Sequence, residues 1–262
     1  MHLLRRILEN KRARLLTAVQ TKPISELQVE ARVRKVAERP HRLSEALKNG
    51  AHPRIIAEFK RQSPSKGVIR AGAEPATLAR MYESGGAAAV SVLTEEDSFQ
   101  GSLADLREVR AAVSLPVLRK DFVLDEYQVF ETAAAGADAL LLIVAILDDA
   151  ILRQLYALVG ELGMDALVEV HTIQEMHRAV AIGAKLIGVN NRDLNTFAVS
   201  LETSIKLARE PRGEALLVSE SGLDSLDQMD RLKEVGYDGF LIGETLMRAG
   251  DPKGLLKAWT AV

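Results

Sequence analysis

Downstream of residue 54 the chain alternates short apolar runs with longer stretches in which apolar residues recur every three or four positions. The apolar runs are Arg54–Lys60, Ala87–Thr94, Pro116–Phe122, Ala139–Val144, Ala166–His171, Leu186–Asn190, Ala215–Ser219 and Gly239–Ile242. Their starts are roughly 20 to 33 residues apart, the interval that a strand and its crossover helix need. The runs are almost continuously apolar, as expected of parallel strands covered on both faces. Eight such units predict an α/β fold, a closed (β/α)8 TIM barrel. A doubly wound open sheet is the alternative, but no G-x-G-x-x-G fingerprint follows any of the runs.

Ahead of the first run the pattern is helical. Leu3, Leu4, Ile7, Leu8, Leu15, Leu16 and Val19 recur at helical spacing with charges between them. The arginines of this segment also fit a transit peptide, but the periodicity and the lack of a cleavage-like site favour a helix. A second helix is expected after Pro23, with Ser25 as its N-cap, running toward Ala37. A third is expected over Leu43–Lys48, before the break at Asn49-Gly50. No linker or low-complexity tract divides the chain. One domain is expected over 1–262, with 1–50 as an N-terminal helical extension and 51–262 as the barrel.

Composition narrows the function more than the fold. Lys plus Arg number 34 against 36 Asp plus Glu, and this balance argues against a general nucleic-acid partner. The longest apolar stretch, Ala139–Leu147, falls far short of the ~20 residues of a membrane span. A soluble, cytoplasmic protein without a membrane partner is the expectation. There is no cysteine, which excludes disulfides and thiolate chemistry. No histidine belongs to an H-E-x-x-H pattern, and no metal site is expected.

In β/α barrels the chemistry sits where strands end and loops begin. The first run ends Glu58-Phe59-Lys60, placing Glu58 and Lys60 on one side by the period of two. The third carries Arg119-Lys120-Asp121-Phe122, the sixth ends Asn190-Asn191-Arg192, and the seventh is followed by Glu220-Ser221-Gly222. Glu169 interrupts an apolar run, where an unpaired carboxylate would be costly to desolvate. Each charge alone reads as a residue entering a solvated loop, and a structural salt-bridge network is the plain alternative for the set. Ionisable groups from five strand ends favour a catalytic bowl. Ser221-Gly222 and Gly243-Glu244 close the last two runs, where barrels often hold phosphate on backbone N–H groups. The loop Arg61–Gly67 reads either as a surface turn or as a mobile lid.

These residues also carry a resemblance. Glu58-Phe59-Lys60-Arg61-Gln62-Ser63-Pro64-Ser65 resembles the E-x-K-x-x-S-P-S signature of the indole-3-glycerol-phosphate synthase family. The likeness continues through Phe99–Ser102, Leu118–Phe122, Ala134–Ile143, Val168–His171, Ile187–Leu194, Val218–Gly222 and Leu241–Glu244, and the N-terminal helices resemble the family's extension. The resemblance implies decarboxylating ring closure and dehydration of 1-(2-carboxyphenylamino)-1-deoxyribulose 5-phosphate in tryptophan biosynthesis. It implies no cofactor, a small phosphorylated substrate and no obligate protein partner.

Within that chemistry Lys120 is the expected acid at the ribulose carbonyl. Lys60 is expected to hold the anthranilate carboxylate or share the acid role in dehydration, and Glu169 to steady positive charge on the anilino nitrogen or remove a proton. Glu58 would orient Lys120 or assist proton transfer, and Asn190 and Glu220 would hold hydroxyls. Arg192 would hold the carboxylate side or neighbouring glutamates, and Phe122 would be an apolar wall or simple barrel packing. Ser63, Ser221, Gly222, Gly243 and the backbone N–H of Glu244 form the expected phosphate seat. Another phosphate-binding barrel, such as a phosphoribosylanthranilate isomerase, is a neighbouring reading, and a barrel repurposed for metabolite binding or scaffolding is the non-enzymatic one.

Overall fold

Eight apolar segments pair edge to edge in chain order: β1 Ile55–Phe59, β2 Ala89–Leu93, β3 Val117–Lys120, β4 Ala139–Ile143, β5 Asp165–Val170, β6 Leu186–Asn190, β7 Leu216–Glu220 and β8 Gly239–Ile242. All pairings are parallel, and β8 returns to β1, so the sheet closes on itself. This computed structural model describes residues 2–37, 40–50, 53–193 and 196–261. Residue 51, the expected start of the barrel, and Leu194 lie outside the described residues.

The strands are shorter than several of the apolar runs. Lys60, Thr94, Asp121, Phe122 and His171 lie just past strand ends, and Val144 opens a single 3-10 turn, Val144–Ile146. β7 instead reaches one residue further than expected, to Glu220. The reason is that burial continues beyond the hydrogen-bonded ladder, so apolarity marks covered chain rather than paired chain.

Helices follow the strands in turn. They are α4 Pro75–Ser84, α5 Leu103–Ala112, α6 Glu126–Ala135, α7 Asp149–Glu161, α8 Ile173–Ala181, α9 Glu202–Leu207, α10 Leu226–Glu234, α11 Glu244–Arg248 and α12 Pro252–Thr260. Several starts are fixed by side chains that accept otherwise unpaired backbone N–H groups: Ser102 from Asp105, Asp125 from Tyr127, and Asp148 from Ala150 and Ile151. Before the barrel come α1 His2–Thr21, α2 Ile24–Ala37 and α3 Arg42–Asn49. Ser25 is not the N-cap of α2 but lies inside it. Pro23, with its preset φ and no N–H to satisfy, opens that helix itself, its carbonyl accepting from Glu26 N.

The period of two divides the apolar residues between two cores. Ile55, Ala57, Val90, Val92, Leu140, Val168 and their counterparts face outward, under the helices. Ile56, Ala89, Leu118, Ala139, Leu141, Leu167, Leu186, Val218 and Leu241 face the barrel axis. Leu43 and Leu47 of α3, both fully buried, plug the N-terminal end of that axis. Above this apolar floor the same inward rows continue as Glu58, Ser91, Lys120, Glu169, Gly188, Asn190 and Glu220, and the register confirms the layer: Glu58 pairs with Ser91, Glu169 with Gly188, and Asn190 with Glu220.

Leu47→Ala is expected to cost about 2–5 kcal/mol, as for other large-to-small changes in closed cores. Because the plug sits at the end opposite the charges, the folded variant should keep its catalytic rate. Denaturant titration with a parallel activity assay checks both, and a loss below about 1 kcal/mol would mean that the plug adds little.

Candidate active site

The C-terminal end of the barrel opens into a cavity of about 990 Å³. Glu58, Lys60, Ser63, Lys120, Phe122, Glu169, Asn190, Arg192, Glu220, Ser221, Gly222, Gly243 and Glu244 all line it. Residues spread over more than 180 positions of the chain therefore meet in one hollow.

Lys120 Nζ stands 3.2 Å from Glu169 Oε2 and 3.2 Å from Glu220 Oε2. Beside this trio Lys60 Nζ donates to Glu58 Oε1 at 2.5 Å. Glu58 was expected to orient Lys120 or assist proton transfer; its direct contact is with Lys60, while its charge also acts on Lys120. The direct partners of Lys120 are the glutamates of β5 and β7, while Glu58 lies within reach of Lys60, two residues on. Two glycines make the crowding possible. A Cβ at Gly188 would fall 2.0 Å from Glu220 Oε1, and one at Gly243 would fall 2.2 Å from Glu58 Oε1.

Burial sets the electrostatics. Glu58, Glu169 and Glu220 are 3%, 2% and 1% exposed, so each charge needs compensation from inside the bowl. Burial opposes the ammonium form of Lys120, but Glu220 and Glu169 outweigh it, and the pKa lies above the ordinary lysine value. Burial likewise opposes ionisation of Glu169, yet Lys120 and His171 prevail and its carboxyl stays below the usual range. Glu220 goes the other way. Burial, helped by the charges of Glu169 and Glu58 and only partly offset by Lys120, pushes its pKa up to about 7. Three carboxylates face two ammonium groups, and the surplus negative charge is relieved at Glu220.

The paired asparagines have different tasks. Asn190 faces the bowl, hydrogen-bonding Glu169 with its side chain while its Oδ1 accepts from Arg192 N at 3.0 Å. Asn191 points outward. It donates to Ser219 Oγ and the Ser221 carbonyl and accepts from Ser204, and so holds the turn after β7. In that turn Ser221 and Gly222 take positive φ, 69° and 79°. A glutamate interaction was one expectation for Arg192, but its guanidinium donates to the Phe197 carbonyl at 3.3 Å on the cavity wall. The side chain of Glu244, whose N–H opens α11, lies 3.5 Å from Lys66 and 3.2 Å from Arg248.

Phe122 is at once wall and packing: its ring lies 6.4 Å from that of Phe99, and it rests on the inner core. The loop after β1 is a small antiparallel ribbon, Gln62–Ser63 with Gly67–Val68, rather than a bare turn. Arg61 ties it down with a two-pronged pair to Asp105 at 2.7 and 2.8 Å.

Residues of α1 also line the cavity: Leu3, Leu4 and Ile7. Their stripe was legible as amphipathic, but not what it covers. Lys11, one turn beyond Ile7 on the same face, is 5% exposed and sits 2.8 Å from both Asp121 and Glu96. A lysine on an apolar helix stripe was the one signal for this contact. Asp121, also paired with Arg119 at 2.9 Å, is held well below the ordinary carboxyl range by these two cations against the cost of its burial.

A closed barrel with a charged bowl at the C-terminal strand ends, an apolar mouth and glycine-bearing turns after β7 and β8 has the layout of a β/α-barrel enzyme. The sequence comparisons give the family. The indole-3-glycerol phosphate synthase family model matches residues 4–258. The chain is 44% identical over 250 residues to the indole-3-glycerol phosphate synthase of Polaromonas naphthalenivorans, covering 95% of each. It is 52% identical over 202 residues to that of Syntrophobacter fumaroxidans, covering 77% of this chain and 76% of the relative. The chain belongs to the indole-3-glycerol phosphate synthase family. Among solved structures it resembles in fold the 3-hexulose-6-phosphate synthase of Salmonella typhimurium, with a TM-score of 0.63 at 12% identity over 79% of this chain and 97% of that one. The thiamine phosphate pyrophosphorylase of Pyrococcus furiosus gives a TM-score of 0.57 at 15% identity, over 78% of this chain and 92% of that one.

Glu220→Gln tests the surplus charge. A carboxyl whose folded pKa is raised lowers stability as pH climbs from its unfolded value toward the folded one. The variant should therefore be more stable than the parent at pH 8, and this advantage should vanish below about pH 4.5, where the parent carboxyl is protonated in both states. Thermal melts across that range check it; an advantage independent of pH would contradict the assignment.

Proposed function

We propose that the chain closes the indole ring of 1-(2-carboxyphenylamino)-1-deoxyribulose 5-phosphate, yielding indole-3-glycerol phosphate, carbon dioxide and water. The observation that carries this reading is the Lys120 ammonium suspended between two buried carboxylates, beside a second Lys–Glu pair, on the floor of a largely apolar hollow.

The aromatic ring lies against Phe122 and the α1 stripe, which exclude water. Lys60 binds the anthranilate carboxylate, exchanging its contact with Glu58 for one with substrate. The ring carbon bearing that carboxylate attacks the ribulose C2 carbonyl, whose oxygen takes a proton from Lys120. Positioned acids of this kind typically contribute 10²–10⁴-fold. Carbon dioxide then leaves with its bonding pair returned to the ring. The new hydroxyl departs as water after receiving a proton, from Lys60 or Lys120, while Glu169 removes the proton from C1.

Glu58 steers Lys60, and Asn190 and Glu220 hold ribulose hydroxyls. Arg192 stands by the carboxylate side. Ser63, the Ser221-Gly222 turn, Gly243 and the Glu244 N–H receive the phosphate; positive φ at Ser221 and Gly222 turns the backbone sharply at that rim. No described helix is long and apolar enough to cross a membrane, and a small anionic substrate suits a reaction in the cytoplasm.

Incubating the purified protein with the carboxyphenylamino substrate, without added metal or nucleotide, should yield a fluorescent indole product. A folded protein that makes none would refute the reading. Lys120→Ala should lower kcat by at least about 10²-fold; a near-normal kcat would move the acid role to Lys60.

A further inference from the structure

The reaction just proposed does not balance in protons within the site. One proton goes to the carbonyl oxygen and a second leaves with that oxygen as water, while one returns from C1. Loss of the carboxylate as carbon dioxide contributes none. Each turnover therefore consumes one proton, and the acid that supplied it must be recharged.

His171, just past β5, is a residue that the proposed reaction leaves unused. Its imidazole is 11% exposed in the side chain, with Nδ1 3.1 Å from Glu175 Oε2 and Nε2 3.4 Å from Glu169 Oε1. Nε2 is buried without a hydrogen-bond partner. Glu169 Oε2 in turn meets Lys120. The ring also stands between two hollows: Glu169 lines the catalytic cavity, and His171 lines a second one of about 480 Å³ together with Thr172, Ser200, Glu202, Thr203 and Lys206.

Resting on the activity proposed above, we propose that His171 is the proton-supplying positioning residue of the site, drawing one proton per turnover from solvent in the side hollow and passing it through Glu169 to recharge Lys120. The route is a continuous row of ionisable groups: Glu175, His171, Glu169, Lys120. The imidazolium gives its Nε2 proton to the Glu169 carboxylate, which hands it to the neutral amine of Lys120; the neutral ring then swings toward the side hollow, takes a proton from solvent on the vacated nitrogen and returns. No other bond changes. The charges suit the task. Glu175, Glu169 and, further off, Glu220 act on the ring and hold its pKa above the ordinary histidine value against the cost of burial, while Glu202 and Lys206, of opposite charge, also line the side hollow.

A group that only braced Glu169 would slow every turnover alike. A recharging group leaves the first turnover intact, because that one spends the proton already on Lys120. For His171→Ala, rapid-quench measurement should show a first turnover near the parental rate, followed by steady-state turnover slowed by about tenfold or more. The slow phase should worsen as pH rises and should recover with added imidazole, which fits the vacated space. If the alanine variant does not fold, His171→Gln carries the same test. A steady-state rate within about twofold of the parent, or a first turnover slowed in step with the rest and indifferent to imidazole, would overturn the relay. No indole product from the unaltered protein would overturn the activity itself and the relay with it, which separates the two failures.

Discussion

The organising constraint is the placing of one ammonium between two carboxylates where water cannot help. Taking any of these ions from water costs several kcal/mol, and that cost is offset only when all partners are in place. Lys120, Glu169 and Glu220 come from β3, β5 and β7, so the trio exists only if the barrel is closed and in register. The site depends on the fold, and losing Lys120, the cation the two glutamates share, would leave both carboxylates to bear the full cost of burial.

The barrel answers this constraint by division of labour along its axis. At the N-terminal end α3 and the inward aliphatic residues form a dry plug. At the C-terminal end the same inward rows become charged, and glycines at 188 and 243 leave room for two of the carboxylates. The N-terminal extension completes the arrangement from outside. Lys11 reaches Asp121, the residue after Lys120, so the helix that walls the cavity is tied to the strand end that carries the ammonium. The ribbon after β1 is anchored in the same manner by Arg61 and Asp105, leaving its tip over the mouth.

The site also holds its charges unequally, which suits a reaction that moves protons in both directions. Lys120 keeps its proton at rest, Glu169 stays ready to accept one, and Glu220 is poised near neutrality. The difference between the two glutamates arises from the order in which cations and anions face them, not from burial, since both are nearly fully enclosed.

Much of this was legible in the chain. Eight apolar runs at strand–helix spacing gave the closed barrel because parallel strands must be covered on both faces. Glu169 stood out because a carboxylate inside an apolar run demands a partner, and the octet from Glu58 to Ser65 carried the family likeness. Local pattern determined which residues form strands and which face the axis, because alternation and helical period are properties of neighbours in sequence. Only tertiary structure decided who pairs with whom: that Glu58 touches Lys60 while Glu169 and Glu220 touch Lys120, that Asn190 faces the bowl while Asn191 braces a turn, and that Lys11 and His171 reach the site at all. Those choices depend on register, strand closure and the docking of a distant helix, and electrostatic pairing acts across space, where the order of residues carries no distance.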